Sequence, residues 1–348
     1  MLSPETIKAA FPDATDDAVR SASGMYTDRY DQLGQAFRAS QEALGVAAIT
    51  GSSADTAEAV LRLMHASPES GSLDQLGSSK EAKHFSDTVK SAHTATAELM
   101  KVTGAAFGEL PLLSSPEFKN IDWQRLLEAS KVYEQLGIPA TVVFAPSNRP
   151  LDGANGWRAF FSNLRQWQDT ANPGTSYKLK HQADGDGLWV SDTVANEWDT
   201  RIDQSPTAPQ WEVSIVPSTD TPTVTQVSYD STDSQGNVPT SLSNLVAFLP
   251  PTPSSTPNQP PKLAGHPTPE TILTIHALTH YHNKTHIITQ SEQSPIDSNT
   301  YTWADGTLQN GAVGLVVDWF PGLGRVFLHG NVVGDRYHYL GVRPAVRG

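Results

Sequence analysis

The hydrophobic positions change period several times along the chain, and each change marks an element. Residues 1–112 are rich in Ala, Ser and Thr. They carry helix-start signals such as Ser3-Pro4-Glu5 and Thr15-Asp16-Asp17, where a hydroxyl caps the helix and carboxylates meet its dipole. Apolar residues here recur at helical spacing (Ala59, Val60, Leu63, Met64), but small side chains dominate. The pattern predicts a helical N-terminal domain or attachment arm with a thin buried stripe. The Ser/Gly-rich interval 67–79 reads as a loop. From Ile121 the texture changes: residues 123–136 keep helical spacing, Gly137 can stop them, and residues 138–145 form a β-rich run closed by Pro146. Trp157, Phe160, Phe161, Leu164 and Trp167 then repeat at three and four residues, which predicts a helix with an aromatic face. Leu188-Trp189-Val190 and residues 211–216 and 223–229 predict short strands.

Residues 250–261 pack prolines among Ser, Thr, Asn and Gln, a composition that cannot bury a core, so 250–267 reads as a surface loop. Thr268-Pro269-Glu270 supplies an N-cap, an N1 proline and a first-turn carboxylate. The helix it starts has Ile272, Ile275, Leu278 and Thr279 on one face and reaches Asn283. Tyr301-Thr302-Trp303 opens a series of Gly-punctuated β segments. In the last of these, period two puts Arg325, Phe327 and His329 on one side of a strand and Val326 and Leu328 on the other. Two closely spaced strands around Pro321-Gly322, followed by an exposed loop, are predicted there. Trp319, Val326 and Leu340 are expected in the core.

Composition narrows the chemistry. The 348 residues carry 37 acidic and 24 basic side chains, a formal net charge of -13, which argues against nucleic acid as a partner. With no cysteine there are no disulfides, no thiolate catalysis and no Cys-ligated metal. No segment approaches the roughly 20 apolar residues of a membrane span. Met1-Leu2-Ser3-Pro4-Glu5 lacks a basic region leading into an apolar run, so no standard secretion signal is expected. Cytoplasmic and virion or surface locations both remain open.

The final stretch, Leu340-Gly341-Val342-Arg343-Pro344-Ala345-Val346, together with Tyr301-Thr302-Trp303 and Asp318-Trp319-Phe320-Pro321-Gly322, resembles the C-type-lectin-like domains of the formylglycine-generating-enzyme type, a resemblance that implies one closing strand over residues 340–346. Within that group the ending is most similar to the variable, or target, proteins of diversity-generating retroelements. The resemblance covers about the last 80 residues. It implies an α+β fold, with a C-type-lectin-like ligand-binding domain over 113–348 behind the mainly helical 1–112. It also implies a candidate variable region over 315–341, displaying exchangeable contacts on a rigid scaffold. The paired cysteines that formylglycine-generating enzymes use are absent, so that oxidation is not expected here.

Residue chemistry points to the same segment. Asp318, Arg325, Phe327, His329, Asn331, Asp335, Arg336, Tyr337, His338 and Tyr339 crowd aromatic and hydrogen-bonding groups together, and no lysine follows Lys284. Such a mixture suits a recognition face better than a merely solvated one. The expected activity is noncatalytic binding of a protein or surface ligand through these residues, with no cofactor. The alternative is a structural or receptor-binding protein of a virus or surface assembly, with 1–112 as the anchor. His276 and His280, four apart on a helix with His282 and His286 nearby, are the best metal candidate. Ala277 stands where a zinc peptidase needs its Glu, so no catalytic metal is assigned. Asp184-Gly185-Asp186-Gly187 has alternate carboxylates but no bidentate Glu at the offset of a calcium loop, although Asn196, Glu197 and Asp199 follow; it reads as a polar turn. No Gly-x-Ser-x-Gly elbow, P-loop or dinucleotide fingerprint is found in the sequence.

Overall fold

The structure, a computed structural model, describes residues 73–146, 154–171, 179, 187–197, 211–231, 234–235, 265–281, 296–320 and 323–348. The expected helices of 1–72, most of the proline-rich loop, Asp184 to Asp186, Asp199, Asn283, and Pro321 with Gly322 lie outside the described residues.

Helices begin where side chains satisfy their first amides. Helix α1 (Lys80–Val102) starts at Ser79, whose hydroxyl accepts from the Ala82 amide at 3.0 Å, and Glu81 sits in its first turn. Helix α2 (Trp123–Gln135) is capped by Asp122, which accepts from the Arg125 amide at 2.9 Å. It ends at Leu136, followed by Gly137 at φ 67°, a left-handed conformation that costs glycine nothing. Strand β1 (Ala140–Pro146) and helix α3 (Ala154–Ala171) come next. On α3, Trp157, Phe160, Phe161 and Leu164 are buried as their spacing predicts, with Phe107 packed 4.5 Å from the Trp157 ring. Strand β2 (Leu188–Val190), the short helix α4 (Asp192–Glu197), strand β3 (Trp211–Pro217) and the two-residue strand β4 (Val224–Thr225) lead to helix α5 (Pro269–Tyr281). Thr268 caps α5 by accepting from the Thr271 amide at 3.1 Å. Strands β5 (Tyr301–Leu308), β6 (Val313–Phe320), β7 (Arg325–Val332), β8 (Leu340–Val342) and β9 (Val346–Arg347) complete the fold.

The fold is α+β, and the described residues form two sheets. One has three strands in the order β1-β3-β9, antiparallel throughout. The other has six in the order β2-β7-β6-β5-β8-β4, in which β2 runs parallel to β7 and β5 parallel to β8. Helix α5 packs against β1 of the first sheet and β6 of the second, with α1 and α3 beside it. It is buried nearly all round, from Thr271 through Leu278 and at His280, and not on the single face its Ile and Leu spacing predicts. Its polar positions look outward in sequence, but two sheets and two helices surround them.

Residues on α1, including Phe85, Val89 and Leu99, share one hydrophobic core with β1, α3, α5, β6 and β7. The boundary expected at 112 therefore falls inside a common core, because α1 packs on β1 and α5. A smaller cluster on the other side of the six-stranded sheet gathers Val227, Tyr229, Trp303, Val316, Leu340 and Val342. The strand expected over 223–229 is shortened to β4. Beyond it Gln226 turns at φ 61°, and the chain folds over Trp303, whose indole donates to the Val227 carbonyl at 2.9 Å.

The final stretch departs from a single strand. Arg343-Pro344-Ala345 separates β8, in the six-stranded sheet, from β9, in the three-stranded one, so these few residues join the two sheets. Gly341 fits there because a Cβ would run into the Val224 carbonyl and come within 2.8 Å of the Pro222 ring. Arg343 is wholly buried and satisfied on every side. Its Nη2 donates to Asp297 at 2.7 Å, its Nε to the Thr302 hydroxyl at 3.0 Å, and its Nη1 to the carbonyls of Thr219 and Pro217 at 2.7 and 3.2 Å. Asp297 also accepts from the hydroxyls of Thr300 and Thr302. Removing one partner from such a pair leaves an uncompensated charge in the interior. Arg343→Ala and Asp297→Ala are each expected to lower stability by about 3–5 kcal/mol in urea unfolding. A loss below about 1 kcal/mol, the range of a solvated surface pair, would refute this.

Candidate functional site

Register along β6 and β7 decides which side chains leave the core. Asp318 lies opposite Phe327, Val316 opposite His329, and Gly314 opposite Asn331, so these share the sheet face turned away from α5. Val317, Trp319, Val326 and Leu328 alternate onto the helix side and are buried there. The parallel pairing of β2 adds Trp189 beside Phe327, with ring centroids 5.0 Å apart. Phe320, 44% exposed, packs 5.6 Å from Phe327 on its other flank.

On the β5 side, Tyr301 meets the His329 ring edge-on at 5.4 Å and the Tyr339 ring at 4.8 Å. Tyr339 in turn stacks on Tyr337 at 5.3 Å and touches His338 at 4.9 Å. The loop carrying these rings is pinned by backbone bonds: the Tyr301 amide donates to the Tyr339 carbonyl at 2.6 Å, and Leu340 closes a turn onto Tyr337 at 2.9 Å. Aromatic side chains far apart in sequence thus form a band across the outer face, held by strand register and not by loop flexibility.

Beneath the band is an open recess of about 500 Å³, lined by Trp189, Tyr301, Phe320, Phe327, His329 and Asp318, with Ser191, Thr193 and Leu323 at its margin. Asp318 is 2% exposed and accepts a hydrogen bond from His329 Nε2 at 3.1 Å. Burial pushes its carboxyl above the ordinary value of 3.8, while the His329 hydrogen bond and charge pull it back and the nearby Asp297 charge adds to the rise. Burial, with the charge on Asp318 and the Tyr339 phenol, also raises the Tyr301 phenol.

The expected face residues separate into groups. Asp318, Phe327 and His329 line the recess, and Tyr337, His338 and Tyr339 continue the band beside it. Asn331, at the far end of β7, and Asp335 and Arg336, in the turn after it, are partly buried and do not line the recess. Two corrections concern depth: Asp318 and Arg325 were expected on display but are buried. Asp318 sinks because bulky rings flank it, and Arg325 lies with its guanidinium carbon 5.4 Å from the Phe327 ring centroid, a cation–π contact. Sequence reasoning did not assign Trp189, Tyr301 and Phe320 to the face. Trp189 alternates with the core residues Leu188 and Val190, a usable signal for its side of the strand, but nothing local announces a parallel neighbour in β7.

His276 and His280 lie in the buried interior of α5, with the His280 ring 4.3 Å from Trp319. Burial, reinforced by the charges of His280 and Arg343, holds His276 well below the ordinary imidazole value and so neutral. Among the described residues no group of three or more metal-ligand side chains comes together; His282 and His286 lie outside them. Glu197 accepts from the Gln309 amide at 3.0 Å. Among the described residues no helix is long and apolar enough to cross a membrane. No protein family, curated protein or solved structure matches the chain.

The raised Asp318 value has a sign for stability. A carboxyl whose folded value lies above its unfolded one contributes stability that is fully present below the unfolded value, near 3.8, and lost as pH rises through the folded value. Asp318→Asn keeps the shape and the acceptor for His329 but does not titrate. The melting temperature of the wild type minus that of the variant is expected to be highest at acid pH and to fall through that window. A difference flat with pH would mean that the carboxyl sits in a water-like setting.

Proposed function

We propose that the chain is a noncatalytic recognition protein. Its ligand, a protein or surface group, is bound through the aromatic face of the six-stranded sheet. The observation that carries this reading is the partition of residues 318–339 by strand register. Trp319, Val326 and Leu328 belong to the core, while Phe327 and His329 stand outward in one band with Trp189, Tyr301, Phe320, Tyr337 and Tyr339. Rigid Tyr, Trp and Phe side chains supply contact area at low entropy cost, as in antibody-like paratopes.

The scaffold is read as C-type-lectin-like, similar to the variable proteins of diversity-generating retroelements. Support comes from the Gly-Val-Arg-Pro ending, whose arginine is a buried clasp, and from the adjacent segment that carries the face. In that reading Phe327, His329, Asn331, Asp335, Arg336, Tyr337, His338 and Tyr339 are the exchangeable positions, whereas the burial of Asp318 and Arg325 restricts what can replace them. A copy of the 3′ coding segment differing mainly at adenines, beside a reverse-transcriptase gene, is the genetic arrangement this reading requires.

The face itself is tested by selecting peptides from a random display library on the wild-type chain and measuring them against a variant with Phe327, Tyr337 and Tyr339 all changed to Ala. Selected peptides are expected to lose at least about tenfold in affinity, the scale of one hot-spot side chain, while the melting temperature stays within a few degrees. Full retention of affinity by the folded variant would overturn the assignment of binding to this face.

A further inference from the structure

The recess under the aromatic band has a charge character of its own. Among the described residues that line it, Asp318 is the only carboxylate, His329 is the only other titratable group besides the Tyr301 phenol, and there is no lysine or arginine. The carboxylate is almost wholly removed from water, yet among the described residues only His329 bonds to it, which leaves acceptor capacity at a group that lines the recess. Trp189, Phe320, Phe327 and Tyr301 wall the same space with rings whose faces carry negative potential. Phe327 already holds a guanidinium, that of Arg325, with Cζ at 5.4 Å. Aromatic walls around a desolvated carboxylate complement a cation on an apolar stem. An anion would meet the Asp318 charge, and a purely apolar group would bury that carboxylate uncompensated.

We propose that this recess is a subsite for a basic side chain, the ammonium of a lysine or the guanidinium of an arginine, presented by the protein that the face binds. The inference rests on the reading of the face as a recognition surface and names the chemistry at its centre. The cation would meet Asp318 while its methylene stem lies along Trp189, Phe320 and Phe327. The formal net charge of -13 favours the approach of basic partners over acidic ones. Arginine offers a planar fork that stacks and bonds at once, and lysine a compact charge, so the two are separate arms of the test.

The test titrates the full chain, carrying fluorotryptophan, with the methylamides of Nα-acetyl-lysine, Nα-acetyl-arginine and Nα-acetyl-norleucine near neutral pH. Fluorine NMR follows the Trp189 signal, assigned through a Trp189→Phe variant. At least one basic amide is expected to shift that signal and to bind about tenfold more tightly than the neutral norleucine amide, the scale set by one charge-assisted contact. Asp318→Asn is expected to abolish the preference for the basic amides while leaving the norleucine response in place. Phe320→Ala, which alters an exposed wall residue, is expected to weaken the basic amides without unfolding the chain. Equal binding of the norleucine amide, no response at Trp189, or a preference surviving in folded Asp318→Asn would each overturn the proposal. The wild-type comparison decides even if Asp318→Asn does not fold. If display-selected peptides depend on Phe327, Tyr337 and Tyr339 while the basic amides show no preference, the cation subsite fails and the face stands. If neither depends on this surface, both fail.

Discussion

The rest of the structure depends on the burial of one guanidinium. Arg343 has no contact with solvent, so each of its donors must find an acceptor inside the protein, and those acceptors come from distant parts of the chain: Asp297 before β5, Thr302 in β5, and the carbonyls of Pro217 and Thr219 at the end of β3. Asp297 in turn adopts φ 57°, accepts from two threonine hydroxyls and offers its carbonyl to the Trp319 amide at 3.3 Å. The end of β3, the turn before β5 and the inner side of β6 are thereby located relative to one another by a single charged group. Tyr133 on α2 extends the same connection, donating to the Pro344 carbonyl at 2.6 Å from a fully buried position.

The outer face follows from that arrangement. Because β6 is fixed on its inner side by Trp319 and Val317, the alternation of the strand leaves Asp318 and Phe320 no choice of direction. The aromatic band then assembles from β2, β5, β6, β7 and the loop before β8. Its geometry follows from the register of the sheet. Asp318 is on the outer side by register but excluded from water by its neighbours.

Much of this was legible where side-chain period and local chemistry agree. The aromatic spacing of α3, the Gly137 stop of α2, the Thr268 cap of α5 and the two-sided character of β7 all rest on interactions within a few residues. The misses share a physical origin in contacts between distant segments. Thr271, Thr274, His276 and His280 are polar positions off the apolar face that the Ile and Leu spacing predicts, and they are buried because sheets lie on both sides of α5. Residues 340–346 read as one strand, but Arg343 and Pro344 carry the chain from one sheet to the other. Of the candidate site, Phe327, His329 and the tyrosines were visible as a cluster in sequence. The depth of Asp318 and the participation of Trp189 and Tyr301 depend on pairings, parallel β2 with β7 and antiparallel β5 with β6, that no local pattern encodes.

The division of the last strands between two sheets bears on how the molecule is made. During synthesis β1 and β3 emerge long before β9, and Asp297 before Arg343, so until Arg343 and β9 follow, Asp297 lacks its cation and β3 lacks its neighbour in β9. Long-range pairings of this kind are slow to form and leave the chain open until they do. The order of translation therefore places the outer face, on β6 and β7, ahead of the residues that lock it. The contacts that Arg343 makes with Asp297 and β9 makes with β3 thus come after the strands that carry the face.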